Sequence, residues 1–237
     1  MFGQEGCRLR LEWGPEGVAA LGEQCAVLVV VDVLSFSTAV DIVVARGGAV
    51  RPVHWSKRAS AARPADPSWT LRPSSLVSVP PGTELELASA NGATLCSSAE
   101  ATGAIVLAGC LRNARAVAVA ARQLAAGGPI GVVPGGERWG VNLTDEADAG
   151  PLRPAVEDLL GAGAIMSSLL GYGSASVEAA LAAEMYAWAS VEDVLNGCVS
   201  GRELIAAGHA GDVALAAEVN VSTAVPRLTD GVLHARG

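Results

Sequence analysis

The chain has 237 residues, 51% of them hydrophobic and 17% charged, which excludes intrinsic disorder and, at about 150 residues per domain, gives one to two domains. Lys and Arg number 16 against 24 Asp and Glu, a formal net charge of −8, so a general nucleic-acid or anionic-membrane binder is not expected. Lys57 is the only lysine; the arginine fork that takes its place suits carboxylate, sulfonate or phosphate, although a high-GC coding bias accounts for the excess first. Read in chain order, Met1 to Gly17 has charges scattered through it and no apolar stretch of the kind a secretion signal needs, so a soluble, cytoplasmic protein is expected. Ala26 to Val31 is continuous, β-branched and uncharged, the pattern of a central strand covered on both faces. Phe36 to Arg46 has helical spacing, Gly47-Gly48 stops it, and Ala49 to His54 reads as a second strand, which together suggest a βαβ unit with a right-handed crossover. Trp55 to Pro81, with five prolines from Pro64 to Pro81, is a long irregular excursion. Glu84 to Ala88 alternates as a half-exposed strand, and Ala104 to Ala108 and Ile130 to Val133 are further strands on either side of a helix from about Ala114 to Ala126.

A polar, acidic loop follows from Val141 to Leu152, and Pro154 opens a helix running to about Leu170. The uncharged run Leu159 to Val177 approaches membrane-spanning length, but its four glycines and four serines fit a buried soluble helix and its exit loop. The rest is mostly helical, over Ser176–Trp188, from Val191, Ser200–Ala207 and Gly211–Val219, with Ser200 and Glu203 spaced as a capping box and Ser190 and Asp193 more loosely so. Only Val225 and Val232-Leu233 offer a late strand. No repeat or linker divides the chain. The expected architecture is a single α/β domain over 1–237, three-layer α/β/α around a mixed, largely parallel sheet, with two lobes and a central cleft as a variant of it.

Polar groups recur just past the apolar strands: Asp32, then Ser89 and Asn91, then Gly109 to Asn113, then Gly135-Gly136-Glu137-Arg138. Strand carboxyl ends in an α/β sheet converge on a crevice where ligands bind, so the repetition is informative where each element alone is weak. Asp32 reads as a metal ligand, nucleophile or general base, or as the carboxylate capping the helix near Ser35; haloacid-dehalogenase-like chemistry is excluded because the second acid it needs is Leu34 here. Asn91-Gly92 is not followed by an alternating strand, so a strand-to-helix turn presenting amides to an anion is expected in place of a hairpin. Asn113 suits an N-cap. Glu157 and Asp158 fall in the first turn of the Pro154 helix, where the dipole keeps a carboxylate ionised as a hard cation requires, and Gly161, Ala164 and Ser168 below Glu157 imply close packing that would order it. Cys7, Cys25, Cys96, Cys110 and Cys198 have no metal spacing and read as reduced, mostly buried thiols, and His54, His209 and His234 as structural or surface residues. Trp139 stands out among the tryptophans because it adjoins Glu137-Arg138.

Several of these segments resemble the 2-phosphosulfolactate phosphatases. Val29 to Leu34 with Ser37-Thr38, Ser89-Ala90-Asn91-Gly92, Gly109 to Ala114, Glu157 to Gly163, Ser200-Gly201-Arg202 to Gly208, Asp212 and Val225-Pro226 carry the resemblance in order from about Ala26 to Pro226. It implies Mg2+-dependent release of phosphate from (R)-2-phospho-3-sulfolactate, a step toward coenzyme M, in a cleft of an unusual α/β fold. Two departures stand out: the family's arginine after the Asp-Val-Leu segment is Ser35 here, and its Gly-Glu, Gly-Phe and Asn-Ser-Pro stretch is replaced by the irregular Trp55–Ser75 segment, with Pro73-Ser74-Ser75 its nearest remnant.

Combining residues and resemblance, the expectation is a phosphomonoesterase. Asp32, Glu157 and Asp158 would hold Mg2+; they and Glu137 would carry the chemistry. Ser35, Ser37, Thr38, Ser89, Asn91, Gly92 and Asn113 would cradle phosphoryl oxygens, with Arg112, Arg138 or Arg153 supplying the charge that Ser35 does not. The partner is a small anionic phosphoester, with no nucleic acid or membrane, and a homodimer is the assembly to test for. Alternatives are a phosphatase for another 2-phospho-hydroxyacid, and a catalytically silent member that binds an anionic metabolite.

Overall fold

The computed structural model of the protein describes residues 2–139 and 150–235. In chain order the elements are β1 (Leu9–Leu11), α1 (Gly14–Leu21), β2 (Val27–Val31), α2 (Phe36–Ala45), β3 (Ala49–His54), a 3-10 turn (Trp55–Ser60), α3 (Pro73–Leu76), β4 (Glu84–Ser89), α4 (Gly92–Glu100), β5 (Ile105–Gly109), α5 (Ala114–Ala125) and β6 (Ile130–Pro134). They continue with β7 (Glu137–Arg138), β8 (Leu152–Arg153), α6 (Val156–Leu169), α7 (Val177–Trp188), α8 (Val191–Gly197), α9 (Val199–Ala206), α10 (Ala210–Ala217), β9 (Pro226–Thr229) and β10 (Val232–Ala235). Most of the expected acidic loop after Val141 lies outside the described residues. Among the described residues no helix is long and apolar enough to cross a membrane.

Strand β2 explains the layering. All five of its residues are buried, and because alternate side chains point to opposite faces, Val27, Val29 and Val31 enter one core while Leu28 and Val30 enter another. The first core is closed by α5, α6 and α7 through Val117, Leu160, Ile165 and Ala182, the second by α2 and α4 through Phe36, Val40, Val43 and Leu95. The protein is thus an α/β/α sandwich around a mixed, mostly parallel sheet. Helix α6 can lie close against the sheet because Gly161 carries no side chain: a Cβ there would fall 2.6 Å from Val33 and 3.0 Å from Val31.

The sheet order is β1-β6-β2-β5-β9-β10-β3-β4 among the described strands, with a separate β7-β8 pair. β1, β6, β2 and β5 run parallel to one another, as do β3 and β4. The late hairpin β9–β10 stitches the two sections together, through Leu107↔Arg227 on one side and Leu233↔Val50 on the other. This corrects the βαβ expectation. Three strands separate β2 from β3, and three successive antiparallel pairings give β3 the opposite sense, so α2 makes no standard crossover. In a flat sheet the carboxyl ends of β2 and β4 would then sit at opposite edges. At a twist of roughly 20–25° per pair, the five steps from β2 to β4 turn the strand direction by about 100–125°, which removes most of that opposition. The ends do meet, as the Gly92 amide donates to Asp32 at 2.8 Å. Two smaller corrections concern helix starts. Pro154 precedes α6 without being part of it, and α9 begins ahead of Ser200, capped by Cys198.

Candidate active site

Asp32 leaves β2 and is buried to 4% exposure. Its Oδ1 accepts from the Phe36 amide at 3.2 Å, and its Oδ2 from the Gly92 amide at 2.8 Å and the Ser89 hydroxyl at 3.2 Å. Gly92 is needed for that approach, since a Cβ would lie 2.5 Å from the Phe36 ring and 2.8 Å from Asp32 Oδ2. The Asn91-Gly92 pair is the strand-to-helix turn expected, with the Gly92 amide on a carboxylate of the protein itself and the Asn91 amide on the Ser89 hydroxyl. Asn91 Nδ2 donates to Glu137 Oε2 at 3.1 Å, which links the β4 exit to the β6 exit.

Glu157 and Asp158 project from the first turn of α6 and are 2% and 3% exposed. Asp158 Oδ1 accepts from the Val33 amide at 2.7 Å and its Oδ2 from the Gly136 amide at 2.8 Å. Gly136 has a positive φ of 65°, a backbone geometry that favours glycine. Asp158 is therefore first a clamp on two strand exits. The Glu157 carboxylate reaches the Cys198 thiol and helps keep it protonated, second to the effect of burial.

Four acids thus share one buried region, and their electrostatics register it. Burial pushes the Asp32 carboxyl up, against the pull of the Gly92 and Phe36 amides, and the charge of Glu157 adds to it. Asp158 is raised well above the usual carboxylate range by burial and then by Asp32 and Glu157. Glu137 is pushed up to about 7 by burial and the Asp32 charge, against its bond from Asn91. Perturbed carboxyls of this kind cluster at functional sites, which makes this region the candidate active site. Among the described residues no three His, Cys, Asp or Glu side chains form a group that would cage a metal alone. Mg2+ needs no such cage: it keeps several waters and takes one or two carboxylates together with substrate phosphate. Glu157 and the remaining lone pair on Asp32 Oδ1 fit that demand with hard oxygen donors.

Glu137 also faces a cleft of about 660 Å³, whose other walls include Arg138, Trp139, Arg153, Ser200 and His209. Arg153 pairs with Glu137 across the β7–β8 ladder and lies 5.8 Å from the Trp139 ring centre. His209, expected to be structural or at the surface, lines this cleft, and Arg72 Nη1 meets its Nδ1 at 3.0 Å. Asp32, Glu157 and Asp158 are buried and are not among the residues that line this cleft.

Other expected ligand groups are used elsewhere. Arg112 Nε donates to Asp41 at 2.9 Å, and its Nη1 meets the Leu215 carbonyl and Glu218, beside a separate cavity of about 950 Å³. Asn113 Oδ1 accepts from the Cys110 amide at 2.9 Å and Nδ2 donates to the Ala224 carbonyl. Cys110 is fully buried, with its thiol pushed up to about 12 by burial. Ser37 Oγ accepts from the Asp32 amide at 3.0 Å and Thr38 Oγ1 donates to the Val33 carbonyl at 2.8 Å, both fully buried, so these side chains shape the Asp32 turn and do not face the cleft. Ser35 is half-buried at the start of α2. Ser89 positions Asp32 and accepts from the Asn91 amide.

A family model described as 2-phosphosulpholactate phosphatase matches residues 78–231, more than half of the chain. The chain belongs to that family. No curated protein matches it. Within the 2-phosphosulpholactate phosphatase match lie Ser89, Asn91, Glu137, Glu157, Asp158 and Ser200, and outside it lie Asp32, Ser35 and the irregular Trp55–Ser75 segment. Asp32 is tied to the matched part by its bonds from Ser89 and Gly92.

Proposed function

We propose that the protein is a Mg2+-dependent phosphomonoesterase acting on (R)-2-phospho-3-sulfolactate, releasing (R)-3-sulfolactate and inorganic phosphate. The observation that carries this reading is the meeting of Asp32, Glu137, Glu157 and Asp158 at one buried spot that opens, through Glu137, onto a cleft walled by Arg138 and Arg153. Membership of a family described as phosphatases supplies the reaction class.

In this reading Asp32 and Glu157 would hold the ion, and Asp158 fixes the strand exits that carry Asp32 and Glu137. A bound Mg2+ supplies Lewis-acid stabilisation of charge developing on the phosphoryl oxygens. Hydrolysis forms one bond from water oxygen to phosphorus, breaks the ester P–O bond and leaves a proton for the departing alkoxide. Glu137 is the group suited to exchange that proton, because it stands at the cleft with a carboxyl poised near neutrality. Arg138 and Arg153 replace the positive charge that the family carries at the position of Ser35, and Arg112, bound to Asp41 and Glu218, does not.

The test is phosphate release from a panel of small phosphomonoesters, with Mg2+ and with chelator. Release from phosphosulfolactate that disappears with chelator is expected. Preference for another 2-phospho-hydroxyacid would redirect the substrate, and no release from any ester, with thermal stabilisation by such anions, would favour a silent metabolite binder.

A further inference from the structure

Helix α7 is apolar on both sides. Its inner residues Ala179, Ala182 and Ala183 are buried, and α6 packs so closely on it that a Cβ on Gly163 would fall 2.2 Å from the Ala182 carbonyl oxygen. Its outer face carries Val177, Leu181 and Trp188, which are 71%, 65% and 88% exposed. A helix that lies on a core normally turns charged and polar residues outward. At 3.6 residues per turn these three and Glu184 fall within about 60° of arc, in one stripe about 18 Å long. Single apolar groups on a surface need no explanation, but a row of large ones marks a face that another molecule covers.

The two ends of the stripe differ in charge. Beside its first end lie Arg8, whose amide donates to the Ser174 carbonyl at 2.8 Å, and Arg122, whose guanidinium is 5.8 Å from the Tyr172 ring centre. Both arginines are exposed. Toward the far end stand Glu184, Glu192 and Asp193, exposed as well. Glu178 is at the first end, but it sits about 100° round the helix from Val177, on the flank. Such a stripe complements itself: turned about a two-fold axis, the basic end of one copy meets the acidic end of the other. With Leu181 on the axis, Trp188 of one copy falls opposite Ser174 of the other, in the turn flanked by Arg8 and Arg122.

We infer that the outer face of α7 is the interface of a homodimer, in which two copies pack antiparallel about a two-fold axis at Leu181. Trp188 against the arginines fixes the register, because the face of an indole attracts a guanidinium. Tryptophan and arginine are also the residues that most often carry the binding energy of protein interfaces. The dimer is independent of the phosphatase reading.

Sedimentation velocity of the full chain over the micromolar range decides it. The wild type is expected to be a dimer. Leu181→Glu sets two like charges facing each other at the axis and should raise the dissociation constant by at least about 100-fold. Trp188→Ala should raise it by about 30-fold or more, the loss expected when a central aromatic contact is removed. Arg122→Glu should also weaken the dimer, and adding Glu184→Arg to the same chain should recover most of that loss, which a purely apolar contact would not do. All four side chains belong to exposed residues, so far-ultraviolet circular dichroism of each variant should match wild type. A wild type that stays monomeric would overturn the inference, as would a dimer that survives Leu181→Glu. A monomeric wild type that co-sediments with phosphatidylcholine vesicles would give the stripe to a bilayer in place of a second copy.

Discussion

The Val33 amide donates to the Asp158 carboxylate at 2.7 Å, joining residues 125 apart in the sequence. With the Gly136 amide on the other oxygen, one side chain at the head of α6 fixes the exits of both β2 and β6. Asp32 and Glu137 stand on those exits, so their mutual geometry depends on Asp158 without its touching a substrate.

Asp158→Ala leaves two buried amides without acceptors, and each such orphan costs about 1–3 kcal/mol. Denaturant unfolding should show a lowered midpoint with an unchanged m-value. A midpoint equal to wild type would mean that the strand exits hold without this clamp.

Asp32→Asn keeps the size of the side chain and removes its charge. Phosphate release should fall by at least about 10²-fold, with far-ultraviolet circular dichroism unchanged. Retained turnover would take Asp32 out of the mechanism.

The Glu137 carboxyl rises from 4.5 to about 7, through burial and then the charge of Asp32. Across that window the folded protein keeps a proton that the unfolded chain has released, so metal-free stability should fall as pH rises from about 4.5 to about 7. At about 1.4 kcal/mol per unit the shift amounts to about 3 kcal/mol. Thermal melts in chelator should show the slope, Glu137→Gln should reduce it to the part that the raised Asp32 and Asp158 carboxyls contribute, and millimolar Mg2+ should restore stability at neutral pH. Parallel pH profiles for wild type and Glu137→Gln would refute the assignment.

Arg112→Ala removes the partner of Asp41, whose side chain is fully buried. Stranding a buried charge costs about 3–5 kcal/mol, so the melting temperature should drop by many degrees. Because Arg112 lies on Asp41 and Glu218 and not in the Glu137 cleft, KM for phosphosulfolactate in the folded fraction should stay close to that of wild type. A large rise in KM at permissive temperature would return Arg112 to the substrate.

The sequence made the sheet and its helices legible wherever burial is two-sided and local. Val27 to Val31 could be little else than a central strand, and Gly161 announced the close approach of α6. The pairing of strands was not legible, because β9 and β10 are four residues each and their partners lie far off in sequence. The acids were found because each stands just past an apolar strand or in a helix's first turn. Glu157 and Asp158 are neighbours in one turn, and only the fold shows which of them reaches back to Val33. The spacing of Ser200 and Glu203 misplaced the start of α9, because Cys198 supplies the cap, and Arg72 meets His209 only through contacts across 137 residues. Ser35 could be read directly from the sequence, whereas the placing of Arg153 opposite Glu137 depends on the β7–β8 pairing.

Placing the stitching hairpin Pro226–Ala235 at the middle of the sheet has a temporal consequence. During synthesis, all ten of the described α-helices and both parallel strand groups leave the ribosome before the piece that joins them, so the edges of β5 and β3 stay open until then. Nascent chains of this protein should be clients for chaperones that shield unpaired strand edges, and release should coincide with arrival of the hairpin.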